Sequence, residues 1–247
     1  MKEVLKKNIL ELVQADFSVA TVLYEHGIDY FSYENKTLQQ ACLERGVDLQ
    51  MLLQNLEKKS SEIEELKLEE LPLELIVEYL KHSHHLFIKK RLPFLRKLIY
   101  HLPQLPECFQ LVQDIKFAYA HFEEDFINHI YKEEDVIFAY TLFLSKASRG
   151  EAKLTDIYHK TNEVSLDGIS KLHKNDEADE MQLLKEVTSD FKTQTCSTHL
   201  NVVVAALKDF NHEVELHTHI ENEFFFPKAV ALEDFVLDHL ATRSKLN

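Results

Sequence analysis

Residues 129–135 read HIYKEED and residues 217–227 read HTHIENEFFFP, and each stretch sets a histidine four positions before a glutamate: His129 before Glu133, and His217 before Glu221. On an α-helix such a pair shares one face, roughly 6 Å apart at Cβ, so each segment can offer an imidazole and a carboxylate to the same metal ion. The surrounding pattern is helical. Ile115, Ala118, Phe122, Phe126, His129, Glu133, Val136 and Tyr140 fall at three- and four-residue steps, as do Val203, Leu207, Phe210, Val214, His217, Glu221 and Phe224. Both glutamates therefore interrupt faces that should be buried. An unpaired buried carboxylate costs several kcal/mol, so each needs a cation or a hydrogen-bonding partner, and a dinuclear metal site meets both needs.

Outward from these pairs, helical periodicity extends over roughly 73–102, 107–147, 164–191 and 194–226, followed by a short terminal helix. Only four glycines and five prolines occur in 247 residues, in keeping with long helices. Four long helices with short connections predict an all-α protein built on an antiparallel four-helix bundle, here over 72–247. Residues 1–60 form short amphipathic segments, with Thr37 and Asp48 placed as caps and Gly27 and Gly46 as stops, and read as a small helical domain. The charged stretch 61–71 reads as the linker.

The two remaining long segments carry lone histidines. In the third, Leu166, Ile169, Leu184, Val187 and Phe191 define a stripe centred on His173, with Asn175 pointing the opposite way. In the first, the stripe of Val77, Ile88, Leu92, Leu95 and Ile99 leaves His84 and His85 both open as the inward residue. Taking His85, the histidines 85, 129, 173 and 217 stand 44 residues apart, as up-and-down helices returning to one level would place them. Ferritin-like sites use Glu-x-x-His on two helices with further glutamates on the others. The His-x-x-x-Glu order here, with a lone histidine on each other helix, gives a histidine-rich site that suits iron, with zinc and manganese also compatible. His84 and His219 read equally well as groups orienting the ligands or as exposed side chains. His121, His159, His199 and His212 read as hydrogen-bonded core or surface residues. Glu177 repeats the spacing from His173 but lies in an acidic run.

Composition narrows the function classes. A net charge of −14 repels phosphate backbones and anionic lipid surfaces, so neither nucleic acid nor membrane is the expected partner. No apolar run is long enough to span a bilayer, and MKEVLKKNILELVQ is too interrupted by charge for a signal peptide, so a cytoplasmic location is expected. Cys42, Cys108 and Cys196 lie far apart with no CxxC spacing, which argues against a thiolate metal site or a disulfide framework.

The stretches HHLFIKKRLPFL, HFEEDFINHIYKEEDVIF, HKNDEADE, CSTHLNVVVAALKDF and HTHIENEFFFPKAVALE span most of residues 84–232, and together they resemble a haemerythrin-like domain. The whole chain resembles the repair-of-iron-centres family of di-iron proteins. That resemblance implies two non-haem iron ions, oxo- and carboxylate-bridged, bound by His85, His129, His173 and His217 with Glu133 and Glu221 bridging. It implies a role in restoring iron-sulfur clusters damaged by nitric oxide or peroxide, by iron donation or nitric oxide processing, in a homodimer. The partners would be nitric oxide, oxygen or peroxide, and damaged iron-sulfur proteins. Two positions depart from the family pattern. Phe31 and Ser32 stand where a Cys-Cys pair is usual, so no thiol chemistry is available there, and Asn175 stands where a histidine precedes Asp-Glu-Ala. The same site could serve a haemerythrin-like oxygen or nitric oxide carrier or sensor without turnover. Without metal, the acidic helices would serve as an interaction protein. Sequence leaves open whether the protein is an enzyme.

Overall fold

A computed structural model describes residues 7–58, 68–103, 106–176, 181–192 and 197–244. Among these residues the fold is all-helical, and an isolated bridge between Asn8 and Thr37 is the extent of β-pairing. The helices are α1 (Ile9–Ala15), α2 (Val19–Glu25), α3 (Tyr30–Tyr33), α4 (Leu38–Arg45), α5 (Leu49–Lys58), α6 (Leu73–Leu86) and α7 (Leu92–Tyr100). They continue with α8 (Phe109–Lys132), α9 (Ala139–Ser148), α10 (Leu154–Glu163), α11 (Leu166–Asp176), α12 (Gln182–Val187), α13 (Thr198–Ile220) and α14 (Phe226–Ser244). None is long and apolar enough to cross a membrane.

The chain forms two compact units, neither of them contiguous in sequence. The first gathers the described residues of 1–64, 89–120 and 183–212, and the second those of 65–88, 121–182 and 213–247. Residues 61–67 of the expected linker lie outside the described residues. In the first unit the short helices are begun and ended by local chemistry. Asn8 and Glu11 form a capping box, as do Thr37 and Gln40, and the Asp48 carboxylate accepts from the backbone N–H groups of Gln50 and Met51. Gly46 ends α4 at φ 68°, a left-handed conformation that glycine adopts without strain. α12 ends short of the expected residue 191, because Ser189, Asp190 and Phe191 all turn to positive φ, and the Thr188 hydroxyl accepts from the Phe191 N–H. Cys42 is a buried free thiol, but Cys108 is disulfide-bonded, which corrects the expectation drawn from cysteine spacing. Separation along the chain says nothing about separation in space. Cys196 and Glu177 lie outside the described residues, as does the side chain of Asn175.

The second unit packs Ile76, Val77, Leu80, Phe138, Leu144 and Phe225 among its buried apolar residues. Within it, buried Glu233 accepts a hydrogen bond from the Tyr140 hydroxyl at 2.9 Å and another from the Leu166 backbone N–H at 2.9 Å. That carboxylate thus ties α14 to α9 and caps the first turn of α11, the helix that carries His173. Burial raises the Tyr140 phenol pKa well above its ordinary value, and the Glu233 hydrogen bond and charge add to the shift.

Three π turns interrupt the described helices, at Phe87–Arg91, Glu133–Phe138 and Glu221–Phe225. Each widens the backbone by about one residue relative to an α-turn and so shifts the phase of everything after it. Two of them precede a proline at the second residue of the next helix, Pro93 in α7 and Pro227 in α14. A proline in an α-helix lacks one N–H and clashes with the carbonyl four residues back, and a wide turn relieves both conflicts. Consequently the fourth helical run does not stop at 226 but continues through the π turn to Ser244. Val136, expected inward, is exposed, while Ile137 and Phe138 take the buried positions, and Phe224 likewise yields to Phe225 and Phe226.

Candidate metal centre

Four helical runs of the second unit each bring one imidazole inward. α6 carries His84, α8 His129, α11 His173 and α13 His217. The two glutamates open the π turns that follow α8 and α13, so each i, i+4 pair spans the last α-turn and the first π residue. Glu133 and Glu221 are buried, and so are His84, His173 and His217.

His85, the ligand expected from sequence, is exposed, and the inward imidazole of α6 is its neighbour His84, only 1% accessible. The π turn at 87–91 explains the difference. Counting back from Leu92 by seven residues reaches His85, but that count runs through the wide turn. Counting forward from Val77 or Leu80 stays within regular α-helix and reaches His84. The 44-residue regularity therefore does not survive. Of the other histidines, His121, His159, His212 and His219 are exposed. His199 is half-buried in the first unit, within 2.7 Å of the Tyr30 hydroxyl through Nδ1.

The two carboxylates each face both pairs of imidazoles. Glu133 Oε1 lies 2.9 Å from His129 Nε2 and 2.8 Å from His173 Nε2, while its Oε2 lies 3.2 Å from His84 Nε2. Glu221 Oε1 lies 3.3 Å from His217 Nε2, and its Oε2 lies 3.8 Å from His173 Nε2. His84 and His217 meet Nε2 to Nε2 at 3.0 Å. Two donors about 2.1 Å from one ion and at right angles to each other lie about 3.0 Å apart, so these separations suit a shared ion. His84, Glu133, His217 and Glu221 offer donor atoms all within 4.8 Å of one another, and His129, Glu133 and His173 form a second such set. These buried groups can hold a metal ion. Between the donors of the first set lies a cavity of about 20 Å³, room for one water-sized sphere, with Phe126 and Ile130 on its apolar side.

The electrostatics divide the two glutamates. Burial alone would raise the Glu133 pKa, but hydrogen bonds from His129, His173 and His84 outweigh it and hold the carboxyl well below the ordinary range. Burial, reinforced by the charge of Glu133, pushes Glu221 well above that range. In the metal-free protein Glu133 is the anion and Glu221 the neutral acid, because two adjacent carboxylates in a dry site do not both ionise.

One participant carried no signal in the sequence. Glu134 Oε1 lies 3.0 Å from His84 Nδ1, so the ring sits between consecutive carboxylates, Glu133 at one nitrogen and Glu134 at the other. A carboxylate only accepts, so a His84 whose Nε2 engaged a metal ion would direct its Nδ1 proton at Glu134. Aromatic rings close the walls. Phe138 stacks on His84 with centroids 5.6 Å apart, Phe87 meets His217 edge-on at 5.5 Å, and Phe226 tilts against His173 at 4.9 Å.

The site defines a class: an all-helical protein with a buried histidine-carboxylate cluster able to bind metal. No family model matches the chain, and no curated protein matches its sequence.

Proposed function

We propose that this chain is a non-haem di-iron protein that helps restore iron-sulfur clusters damaged by nitric oxide or oxidants, with its ligand-bearing helices arranged as a haemerythrin-like antiparallel four-helix bundle. One observation carries the reading: each buried carboxylate turns one oxygen toward the His84/His217 pair and the other toward the His129/His173 pair. Bridging two ions is the arrangement that uses all four oxygens. His84 and His217 would hold one ion, His129 and His173 the other, with Glu133 and Glu221 shared. A mixed imidazole and carboxylate set suits iron, which supplies reversible valence change and affinity for nitric oxide, oxygen or peroxide.

The chain's own residues do the rest. Glu133 stands ionised before any metal arrives, and Glu221 must release its proton to become a ligand. Glu134 would accept the Nδ1 proton of His84 once Nε2 turns from Glu133 to an ion. Phe87, Phe138 and Phe226 cover the rings of His217, His84 and His173.

The test is metal analysis of protein purified without a histidine tag, followed by anaerobic exposure of the reduced protein to nitric oxide. We expect close to two irons per chain, together with either nitrous oxide formation or recovery of a damaged cluster enzyme. Protein with no metal, or with iron but neither activity, refutes the repair role. A second reading, a carrier or sensor of oxygen or nitric oxide, is favoured by Phe31, whose ring stacks on His101 at a position where a thiol would otherwise stand. A stable oxygen adduct with no turnover in either assay selects it.

A further inference from the structure

We propose that Tyr30 is a one-electron redox site: it gives an electron to a diffusible radical oxidant of the nitrogen dioxide class while its phenolic proton passes to His199. The residues concerned all belong to the first unit, and the inference does not rest on the metal reading above.

Tyr30 opens α3, and Glu34 follows that helix still at helical dihedrals, so the two stand four positions apart on one face and reach the same imidazole. The Tyr30 hydroxyl lies 2.7 Å from His199 Nδ1, and His199 Nε2 lies 3.3 Å from Glu34 Oε1. A carboxylate has no proton to donate, so the neutral ring is favoured with its proton at Nε2, toward Glu34, and its lone pair at Nδ1, toward the phenol. Tyr30 is 2% exposed, whereas the His199 and Glu34 side chains are 29% and 27% exposed. The three groups therefore lead from a buried hydroxyl to the edge of solvent.

Ordinary acid-base chemistry makes little use of this phenol. Burial, with the charge of Glu34 adding, raises its pKa well above the usual value, so it stays protonated at neutral pH. Removing an electron reverses that, because an oxidised phenol is a strong acid and gives its proton to a base already in hydrogen-bond contact. The Tyr30 O–H bond breaks, an N–H bond forms at His199 Nδ1, Tyr30 becomes a neutral radical, and nitrogen dioxide becomes nitrite. The new imidazolium faces the Glu34 carboxylate, which offsets its charge. Burial, with the Phe31 ring 4.2 Å from that of Tyr30, keeps the radical from coupling with another. A one-electron donor such as ascorbate restores the phenol, the proton returning from His199. Tyr140 is similarly buried, at 3%, but its hydroxyl meets the Glu233 carboxylate. A carboxylate is ordinarily a weaker base than an imidazole by about two pKa units, so Tyr140 is the poorer electron donor.

The experiment exposes the full chain to azidyl radicals, made by pulse radiolysis of an azide solution, and follows the tyrosyl absorbance and its electron paramagnetic resonance signal. The chain contains no tryptophan to compete as the oxidised ring. Radicals at exposed rings such as Tyr100, Tyr131 and Tyr158 should decay quickly by coupling. A second fraction should persist about tenfold longer or more, because a buried radical meets a partner only through local opening. Tyr30→Phe should abolish the persistent fraction and Tyr140→Phe should keep it. His199→Gln still offers the hydroxyl an acceptor oxygen but no base, so a merely structural role would leave the persistent fraction, whereas proton acceptance by His199 requires its loss. Circular dichroism checks that each variant is folded, and Tyr30→Phe, which removes one hydroxyl, decides the matter if His199→Gln does not fold. Wild-type decay in a single fast phase overturns the proposal, as does survival of the persistent fraction in folded Tyr30→Phe or His199→Gln, or its loss in folded Tyr140→Phe.

Discussion

Glutamine at either buried glutamate should distinguish them, because the same isosteric change meets two different protonation states. In the metal-free protein Glu221 is the neutral acid, and Glu221→Gln replaces one uncharged planar group by another of nearly the same size. Its effect on metal-free stability should be within about 1 kcal/mol, as for an ordinary neutral hydrogen bond gained or lost. Glu133 is the anion at the centre of three imidazoles, at 2.8, 2.9 and 3.2 Å. Each hydrogen bond to a charged acceptor contributes about 1.5–3 kcal/mol. Removing one partner of a buried ionic cluster costs about 3–5 kcal/mol, so Glu133→Gln should destabilise the metal-free protein by that amount. Denaturant unfolding at pH 7 after exhaustive chelation measures both. Adding ferrous ion should then stabilise the wild type strongly and each variant much less, since either change removes a carboxylate that the proposed centre would share. Equal metal-free destabilisation by the two substitutions, or a larger effect at Glu221, would falsify the unequal protonation deduced from burial and hydrogen bonding.

Other substitutions bear on neighbouring parts of the site. His84→Ala should lose bound metal while His85→Ala keeps the wild-type amount, and metal analysis showing the reverse would place the wrong imidazole inward. Glu134→Ala should weaken metal binding by about 10–100-fold, the usual cost of removing a carboxylate behind a ligating histidine. Glu134→Gln, which keeps an acceptor oxygen for His84 Nδ1, should lose less, and competition with a chelator of known affinity would reveal equal losses if the hydrogen bond has no part. At high pH, ionisation of the Tyr30 and Tyr140 phenols should weaken the fold. Burial raises both, with the charge of Glu34 adding at Tyr30 and the hydrogen bond and charge of Glu233 adding at Tyr140. A raised folded-state value means that their contribution to stability is complete below the unfolded phenol pKa of about 10 and is lost as pH rises through the folded values. Tyr140→Phe should therefore flatten the alkaline arm of a stability-versus-pH curve, and an unchanged arm would remove that phenol from the account.

The sequence alone determined what depends on short-range helical geometry. His129 with Glu133, and His217 with Glu221, are paired because four residues make about one α-turn, and both pairs meet where the spacing put them. His173 was legible by the same logic, since Leu166 stands two α-turns before it on α11 and both are buried. Caps at Thr37 and Asp48 were legible because they act within three residues. What only the tertiary structure decided lies beyond the π turns and across the chain. A π turn has no spacing signature of its own: it arises where packing and a following proline make one wide turn cheaper than a strained narrow one. That single inserted residue at 87–91 moved the inward imidazole from His85 to His84, and the one at 133–138 exchanged Val136 for Ile137 and Phe138. The role of Glu134 depends on a ring 50 residues away, and the opposite protonation of Glu133 and Glu221 on which imidazoles reach each carboxylate. Periodicity tells which way a side chain points, but only assembled neighbours set its charge.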